Sequence, residues 1–192
     1  MNDMDRSAVL LDLAAKLRAS GSWTGETHVQ KAAYLMQELL GVPSRFRFVL
    51  YKHGPFSFDL RDSLNKLETW GCIQTQEQPY PYGPKLVEGP ASGMLKAASG
   101  APQVWERQSR FIAQHLGKSN VSELERIATA LFIELDLDIK PEDRPQRLVH
   151  LKPHISMAEA PMAFIRLAEI RSAAHSAGVF VESGKLQHTA AG

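Results

Sequence analysis

The stretch THVQKAAYLMQELLG (27–41), followed by FRFVLYKHGPFSFDLRDSLNKLETWGCI (46–73), decides the fold class of this chain. Its apolar spacing predicts an amphipathic helix, an aromatic strand over 46–51, a turn at His53-Gly54-Pro55 and a second amphipathic helix capped by Ser57. A return strand over 72–76, the proline-rich tip 79–84 and a strand from Lys85 complete a wing. We therefore expect an α+β fold in which residues 1–88 form a winged helix-turn-helix-like domain with a small, three-stranded antiparallel sheet.

Helical patterns continue on both sides of this segment. An apolar stripe predicts a helix over 8–17, and Thr27 with Gln30 predicts a capping box for the next one. Residues 89–102 are rich in Gly, Ala, Ser and Pro and are expected to form a linker. A helical subdomain is expected over 103–174, with capping boxes at Ser122 and Ser156 and a lost bond or kink at Pro161. We expect 175–192 to form a flexible tail.

Composition limits the class of protein. Hydrophobic residues make up 44% of the 192-residue chain, charged residues 22%, and the formal net charge is +1. No apolar run approaches 18 residues, the N-terminus lacks a signal-peptide pattern, and the single Cys72 permits no intrachain disulfide. These features predict a cytoplasmic protein without a membrane partner. A dedicated non-specific DNA binder is usually more basic.

Catalytic and metal-binding signatures are weak. His53 beside the turn is interpreted as a histidine that caps a backbone group, because no carboxylate or nucleophile stands nearby in sequence. Cys72 is expected to be a small buried hydrophobe. His150 and His154 have a metal-ligand spacing, but Pro153 interrupts the helix between them. We therefore predict no catalytic residue, no metal, no cofactor and no enzymatic activity.

Basic and aromatic residues around the predicted wing are candidates for binding DNA. On the helix after Ser57, Arg61 and Asn65 could read base edges, whereas Asp59 and Asp62 would repel phosphates, so a solvated mixed-charge face is an equal alternative. Tyrosines at the wing tip fit three interpretations: base stacking, a protein hot spot, or packing of a rigid turn. The full set predicted to contact nucleic acid is Arg45, Arg47, Arg61, Asn65, Lys66, Tyr82 and Lys85.

The helices VQKAAYLMQELLG and DLRDSLNKLETWGCI, the turn YKHGPFS and the C-terminal LKPHIS resemble bacterial YwgA-type uncharacterised proteins. The front half is also similar to the SocA/Panacea antitoxin-associated domain, which shares a Lys-x-x-Tyr helix and a Tyr-x-His-Gly-Pro turn. In this chain those residues are Lys31, Tyr34, Tyr51 and His53-Gly54-Pro55. The resemblance implies a winged-helix-like domain with additional helices, but no catalytic residue.

Two functions follow as expectations. The first is a nucleic-acid-binding regulator or defence-associated accessory whose partner is DNA. The alternative is an antitoxin-like or adaptor module that binds a partner protein. Aromatic residues of the C-terminal helices either pack on the front half or pair two chains as a homodimer, and the sequence leaves both open.

Overall fold

The structure is a computed structural model, and it describes residues 1–79 and 83–181. Helices predominate, and the strands pair as two separate antiparallel hairpins. The predicted α+β class is confirmed, but the predicted three-stranded component is wrong for the described residues. In chain order the elements are α1 (Asp3–Ala19), α2 (Glu26–Glu38), β1 (Val49–Tyr51), β2 (Gly54–Phe56), α3 (Phe58–Thr69), β3 (Ile73–Gln76), β4 (Lys85–Glu88), α4 (Ser92–Ala98), α5 (Ala101–Val104), α6 (Glu106–Leu116), α7 (Val121–Glu134), a 3-10 turn (Pro141–Asp143), α8 (Arg144–Leu151) and α9 (Glu159–Ala177).

One hydrophobic core runs through both halves of the chain. Helix α6 packs on α1, and α7 packs between α2 and α9. Buried side chains from the front half, such as Leu35, share a single cluster with Leu131 of α7 and Leu167 of α9. Each fully buried Leu side chain contributes about 1.5–3 kcal/mol to folding relative to an exposed one. The C-terminal helices therefore complete the core on which the front half rests.

Helix α2 supports the following segment through polar side chains. Gln30, predicted to form a capping box with Thr27, instead accepts from the Ser57 backbone N–H at 3.0 Å and donates to the Ser57 carbonyl at 2.9 Å. The N-cap of α2 is Gly25, which makes no side-chain cap bond. Gln37 holds Phe46 in the same way, at 2.9 and 3.0 Å. The Thr27 capping box was wrong because Gln30 makes long-range bonds to the backbone of another segment.

The β1–β2 hairpin turns one residue earlier than predicted. Tyr51 pairs with Gly54 and Leu50 with Pro55, so the two-residue loop is Lys52-His53 and Pro55 lies within β2. Gly54 has a φ of +82°, a conformation that residues with a Cβ rarely adopt. The strand predicted from residue 46 begins at Val49.

Helix α3 and the second hairpin follow the predicted order. Ser57 caps α3 by accepting from the Leu60 N–H at 3.2 Å, as predicted. Leu60, Leu64 and Leu67 are buried, and Ser63 is buried with them. Strands β3 and β4 pair from Ile73 with Glu88 to Gln76 with Lys85. Part of the predicted wing tip, residues 80–82, lies outside the described residues.

Beyond β4, several local predictions need correction. The 89–102 segment holds α4, and the helix predicted from residue 103 is divided at Trp105. Asn120 caps α7 in place of Ser122, accepting from the Glu123 N–H at 2.9 Å. Ser156 and Glu159 form the predicted reciprocal bonds, from the Ser156 N–H to Glu159 Oε2 at 3.0 Å and from the Glu159 N–H to Ser156 Oγ at 3.3 Å, but α9 begins only at Glu159, with Ala158 as its N-cap. Pro161 lies in the first turn of α9, where no intrahelical bond is lost.

The part of the predicted tail that the structure describes packs against the core. Helix α9 extends to Ala177, and Val179 is buried. The Val181 N–H donates to the Leu40 carbonyl at 2.8 Å. Residues 182–192 lie outside the described residues.

Candidate functional site

Two buried lysines bind the backbone of the β1–β2 hairpin. Lys152, directly after α8, is 4% exposed, and its Nζ donates to the carbonyls of Tyr51 and Lys52 at 2.7 Å each. Lys31 of α2 is 1% exposed, and its Nζ donates to the Pro55 carbonyl at 2.8 Å. Elements far apart in sequence thus fix three carbonyls of one short hairpin.

The carboxylate of Glu125, on α7, lies among these cations. Lys152 Nζ is 3.3 Å from Glu125 Oε1, and the glutamate is buried. Burial lowers the pKa of Lys31 to about 8, an effect that the charge of Glu125 opposes and that of Lys152 reinforces. Glu125 therefore offsets part of the cost of burying two ammonium groups.

Two histidines flank the same carboxylate at the surface. His53 Nδ1 is 3.7 Å and His154 Nε2 is 3.5 Å from Glu125 Oε2, and about half or more of each histidine side chain is exposed. Folding therefore supplies the carboxylate near His53 that the local sequence lacks. We call Lys31, Glu125, Lys152, His53 and His154 the buried charge cluster.

The chemistry of the buried charge cluster suits a structural role. Its two lysines outnumber its one carboxylate, so a further cation would be repelled. No group of three metal-ligand side chains with a suitable arrangement occurs among the described residues. The lysine N–H groups are directed at backbone carbonyls, which fixes the hairpin. Gly54 is packed so closely that an added Cβ would lie 3.0 Å from Thr129 Oγ1.

The hairpin and the start of α3 present an exposed aromatic surface. Tyr51 is 54% and Phe58 50% exposed, and Val49 beside them is 48% exposed. The rings of Tyr51 and Phe58 lie 5.8 Å apart, and each packs on Phe56, at 5.6 and 5.1 Å. The Arg61 guanidinium lies over the Phe56 ring at 4.5 Å. We call Val49, Tyr51, Phe56, Phe58 and Arg61 the aromatic patch.

Two arginines predicted to contact nucleic acid form ion pairs with carboxylates of the same chain at its surface. Arg47 Nε lies 3.2 Å from Asp59 Oδ2, and Arg61 Nε lies 2.8 Å from Glu26 Oε1. The hydrogen bond from Arg47 lowers the pKa of Asp59, and the bond to Glu26 raises the pKa of Arg61. Binding phosphate would require each guanidinium to share or leave its carboxylate.

The remaining predicted contact residues are dispersed. Asn65 and Lys66 are exposed on α3, and Arg45 is exposed with a φ of +58°. Lys85, at the start of β4, places its Nζ 4.0 Å from the Trp23 ring centroid. Tyr82 lies outside the described residues.

The residues that sequence reasoning missed are Glu125 and Lys152. Glu125 is the acidic partner of the predicted Ser122 capping box. In the structure it is buried together with Leu124 and Ala128 of the same helix. A charged residue on an apolar helix face was the available signal. Lys152 belongs to the LKPH motif, Lys31 to the Lys-x-x-Tyr helix, and His53 to the Tyr-x-His-Gly-Pro turn. The motifs on which the resemblance rests therefore meet in the buried charge cluster.

No protein-family model, no curated protein and no solved structure matches the chain. The YwgA-type and SocA/Panacea resemblance therefore stays a prediction. Among the helices of residues 1–79 and 83–181, none combines the length and apolar character needed to cross a bilayer.

Proposed function

We propose that this protein is a non-catalytic, cytoplasmic binding module whose aromatic patch docks a partner protein, as an adaptor or an antitoxin does. The proposal rests on one observation: Tyr51, on a hairpin whose carbonyls are bound by buried lysines, and Phe58, at the start of α3, each expose about half their surface. Tyr, Trp and Arg are the residues that dominate protein hot spots. A surface fixed before binding loses little conformational entropy when a partner arrives.

The charges around the patch favour a protein over DNA as the partner. Helix α3 carries three acids and two bases. Arg47 and Arg61 already pair with carboxylates, which leaves less positive charge for phosphates. Because phosphate neutralisation supplies much of the affinity for DNA, this surface is poorly equipped for it.

The test is capture of partners from the native host by the tagged full chain, with and without nuclease. We expect a stoichiometric protein that survives nuclease and is lost when Tyr51→Ser and Phe58→Ser are combined. Truncating one hot-spot aromatic costs about 2 kcal/mol or more, which is about 30-fold in affinity.

The matched control removes exposed apolar side chains elsewhere. Met162 and Ile165 on α9 are 59% and 51% exposed, so Met162→Ser with Ile165→Ser should retain the partner. Thermal unfolding of each variant checks that it folds. Equal capture by both double variants would refute a role for the aromatic patch.

DNA binding is the second candidate, and the order of α3 and the β3–β4 hairpin favours it. The hairpin follows α3 directly, as a wing follows a recognition helix, and Asn65 and Lys66 on α3 are exposed. In this proposal the contacts are made by α3 and the wing, with Lys85 on β4.

The test is duplex affinity measured over a range of salt concentrations. Changing Arg61 and Lys85 together to Ala should weaken binding and reduce the salt slope by roughly one for each lost phosphate contact. Glu68→Gln, on the same exposed helix, serves as a control that should not weaken binding. An unchanged affinity and slope in the double variant would end this proposal.

A further inference from the structure

A cleft of about 310 Å³ lies between the C-terminal ends of α2 and α7, beside β1. Its lining residues are Tyr34, Glu38, Phe48, Phe132, Leu135 and Asp136. The walls are therefore aromatic and aliphatic, and two carboxylates border them. We call this feature the α2–α7 cleft.

The electrostatics of the α2–α7 cleft favour a cation. Neither Glu38 nor Asp136 forms an ion pair with a basic side chain of the described residues, unlike Glu134 nearby, which pairs with two arginines. Glu38 is the last residue of α2, and Leu135 caps the end of α7. The C-terminal end of each helix adds partial negative charge from its free carbonyls.

Tyr34 supplies an independent sign of a missing partner. Its side chain lines the cleft, is only 2% exposed, and its hydroxyl has no hydrogen-bond partner. Buried hydroxyls are seldom left without a partner, because desolvation costs about 1–3 kcal/mol. Burial and the nearby charge of Glu38 both raise the Tyr34 pKa. The phenol therefore stays protonated and neutral, with lone pairs that can accept from an N–H donor.

We infer that the α2–α7 cleft binds an organic cation, a primary ammonium or a guanidinium on an aliphatic stem. The stem packs against Phe48, Phe132 and Leu135. The cationic head lies between the carboxylates of Glu38 and Asp136, with the Tyr34 hydroxyl as a further acceptor. Such a group is available from a free alkylamine or from a lysine or arginine side chain of a polypeptide. The cleft shares no residue with the aromatic patch, so this inference does not depend on the proposed function.

The experiment is an NMR titration of the full chain, followed through the Leu135 methyl groups and the Phe48 and Phe132 rings. The probes are N-acetyl-lysine methylamide, N-acetyl-arginine methylamide and cadaverine, and N-acetyl-norleucine methylamide is the neutral comparator. We expect saturable shifts with the cations and weaker ones with the comparator. Binding of the blocked amino acids alone identifies a polypeptide side chain, and binding of cadaverine alone a free amine. Equal shifts with the neutral comparator, or no saturable shift with any cation, overturn the inference.

Variants of the lining residues test whether the two carboxylates and the Tyr34 hydroxyl bind the cation. Glu38→Gln and Asp136→Asn should each weaken cation binding by about two- to fivefold, the range for one partly exposed ion pair. Tyr34→Phe removes only the hydroxyl and should also weaken binding. Glu68→Gln on the exposed face of α3 is the matched control and should leave affinity unchanged. If the double variant of Glu38 and Asp136 binds the cation as well as the wild type does, the inference is wrong even when the titration shows binding.

Discussion

Replacing Lys152 by Met tests whether the buried charge cluster holds the hairpin. The change keeps most of the side-chain volume but removes the donors to the carbonyls of Tyr51 and Lys52, which now lie 2.7 Å from Nζ. It also takes away the cation that lies 3.3 Å from Glu125. Breaking a buried ion pair from one side typically costs 3–5 kcal/mol. We expect about 3 kcal/mol, the lower end, because Lys31 remains as a second cation near the same carboxylate.

The assay is urea unfolding at fixed pH, followed by tryptophan fluorescence, together with hydrogen exchange of the hairpin amides. Lys118→Met, at an exposed lysine, is the control and should change stability by no more than about 0.5 kcal/mol. Relative to the wild type, Lys152→Met should accelerate amide exchange in β1 and β2 more than it accelerates exchange in α1. A loss below about 1 kcal/mol would mean that the two carbonyl bonds contribute little.

A double-variant cycle separates the ion pair from the packing. Combining Lys152→Met with Glu125→Leu removes both charges, so the uncompensated carboxylate disappears. The double variant should be less destabilised than the two single changes added together, by about 2 kcal/mol. Additive losses would refute the reasoning, because they would mean that Lys152 and Glu125 contribute independently.

Three further predictions concern the same region. The pKa of Lys31 is lowered from 10.5 to about 8 in the folded protein. Between these pH values the unfolded chain binds more protons than the folded one does. The free energy of unfolding should therefore rise with pH in this range, by about 3 kcal/mol at most. Lys31→Met should abolish that rise in unfolding titrations, and parallel profiles for the two proteins would contradict the assignment. Gly54→Ala should lower the free energy of unfolding by about 2 kcal/mol or more, because Gly54 has a positive φ and an added Cβ would approach Thr129 Oγ1. The loss should be smaller in a Thr129→Ala background. Equal losses in both backgrounds would show that the contact with the hydroxyl is irrelevant. Gln30→Ala should cost about 2 kcal/mol in chemical denaturation because it leaves the buried N–H of Ser57, the α3 N-cap, without a partner; the Ser57 C=O still accepts from the Arg61 N–H at 3.1 Å. A comparable loss from the exposed Gln114→Ala would argue against that cause.

Buried polar side chains around the β1–β2 hairpin stabilise a short element. A short two-stranded hairpin is marginally stable by itself. Here Lys31 and Lys152 bind its carbonyls, and Gln30 binds the residue that follows it. The hairpin bonds hold Tyr51, and the Gln30 bonds to Ser57 hold the start of α3, where Phe58 lies. Both aromatic residues are thus fixed in place, which is the property that the proposed docking function requires.

Several local elements follow from the sequence patterns around them. The apolar spacing after Ser57 predicts α3 with Ser57 as its cap, and the return strand predicted over 72–76 matches β3 to within one residue. These features depend on neighbours within about four residues, so periodicity and capping preferences suffice to predict them. The α+β class followed from the order of such elements.

Which charged and polar residues meet depends on long-range packing. Lys152 binds the carbonyl of Lys52, 100 residues earlier in the chain, and Glu125 lies beside His53 of the same hairpin. Gln30 was assigned to its own helix end, although its partner is Ser57. In a sequence, a glutamate or glutamine that will be buried looks the same as one that will face water. The difference arises from long-range packing, which removes water from these groups and supplies partners from distant parts of the chain in its place.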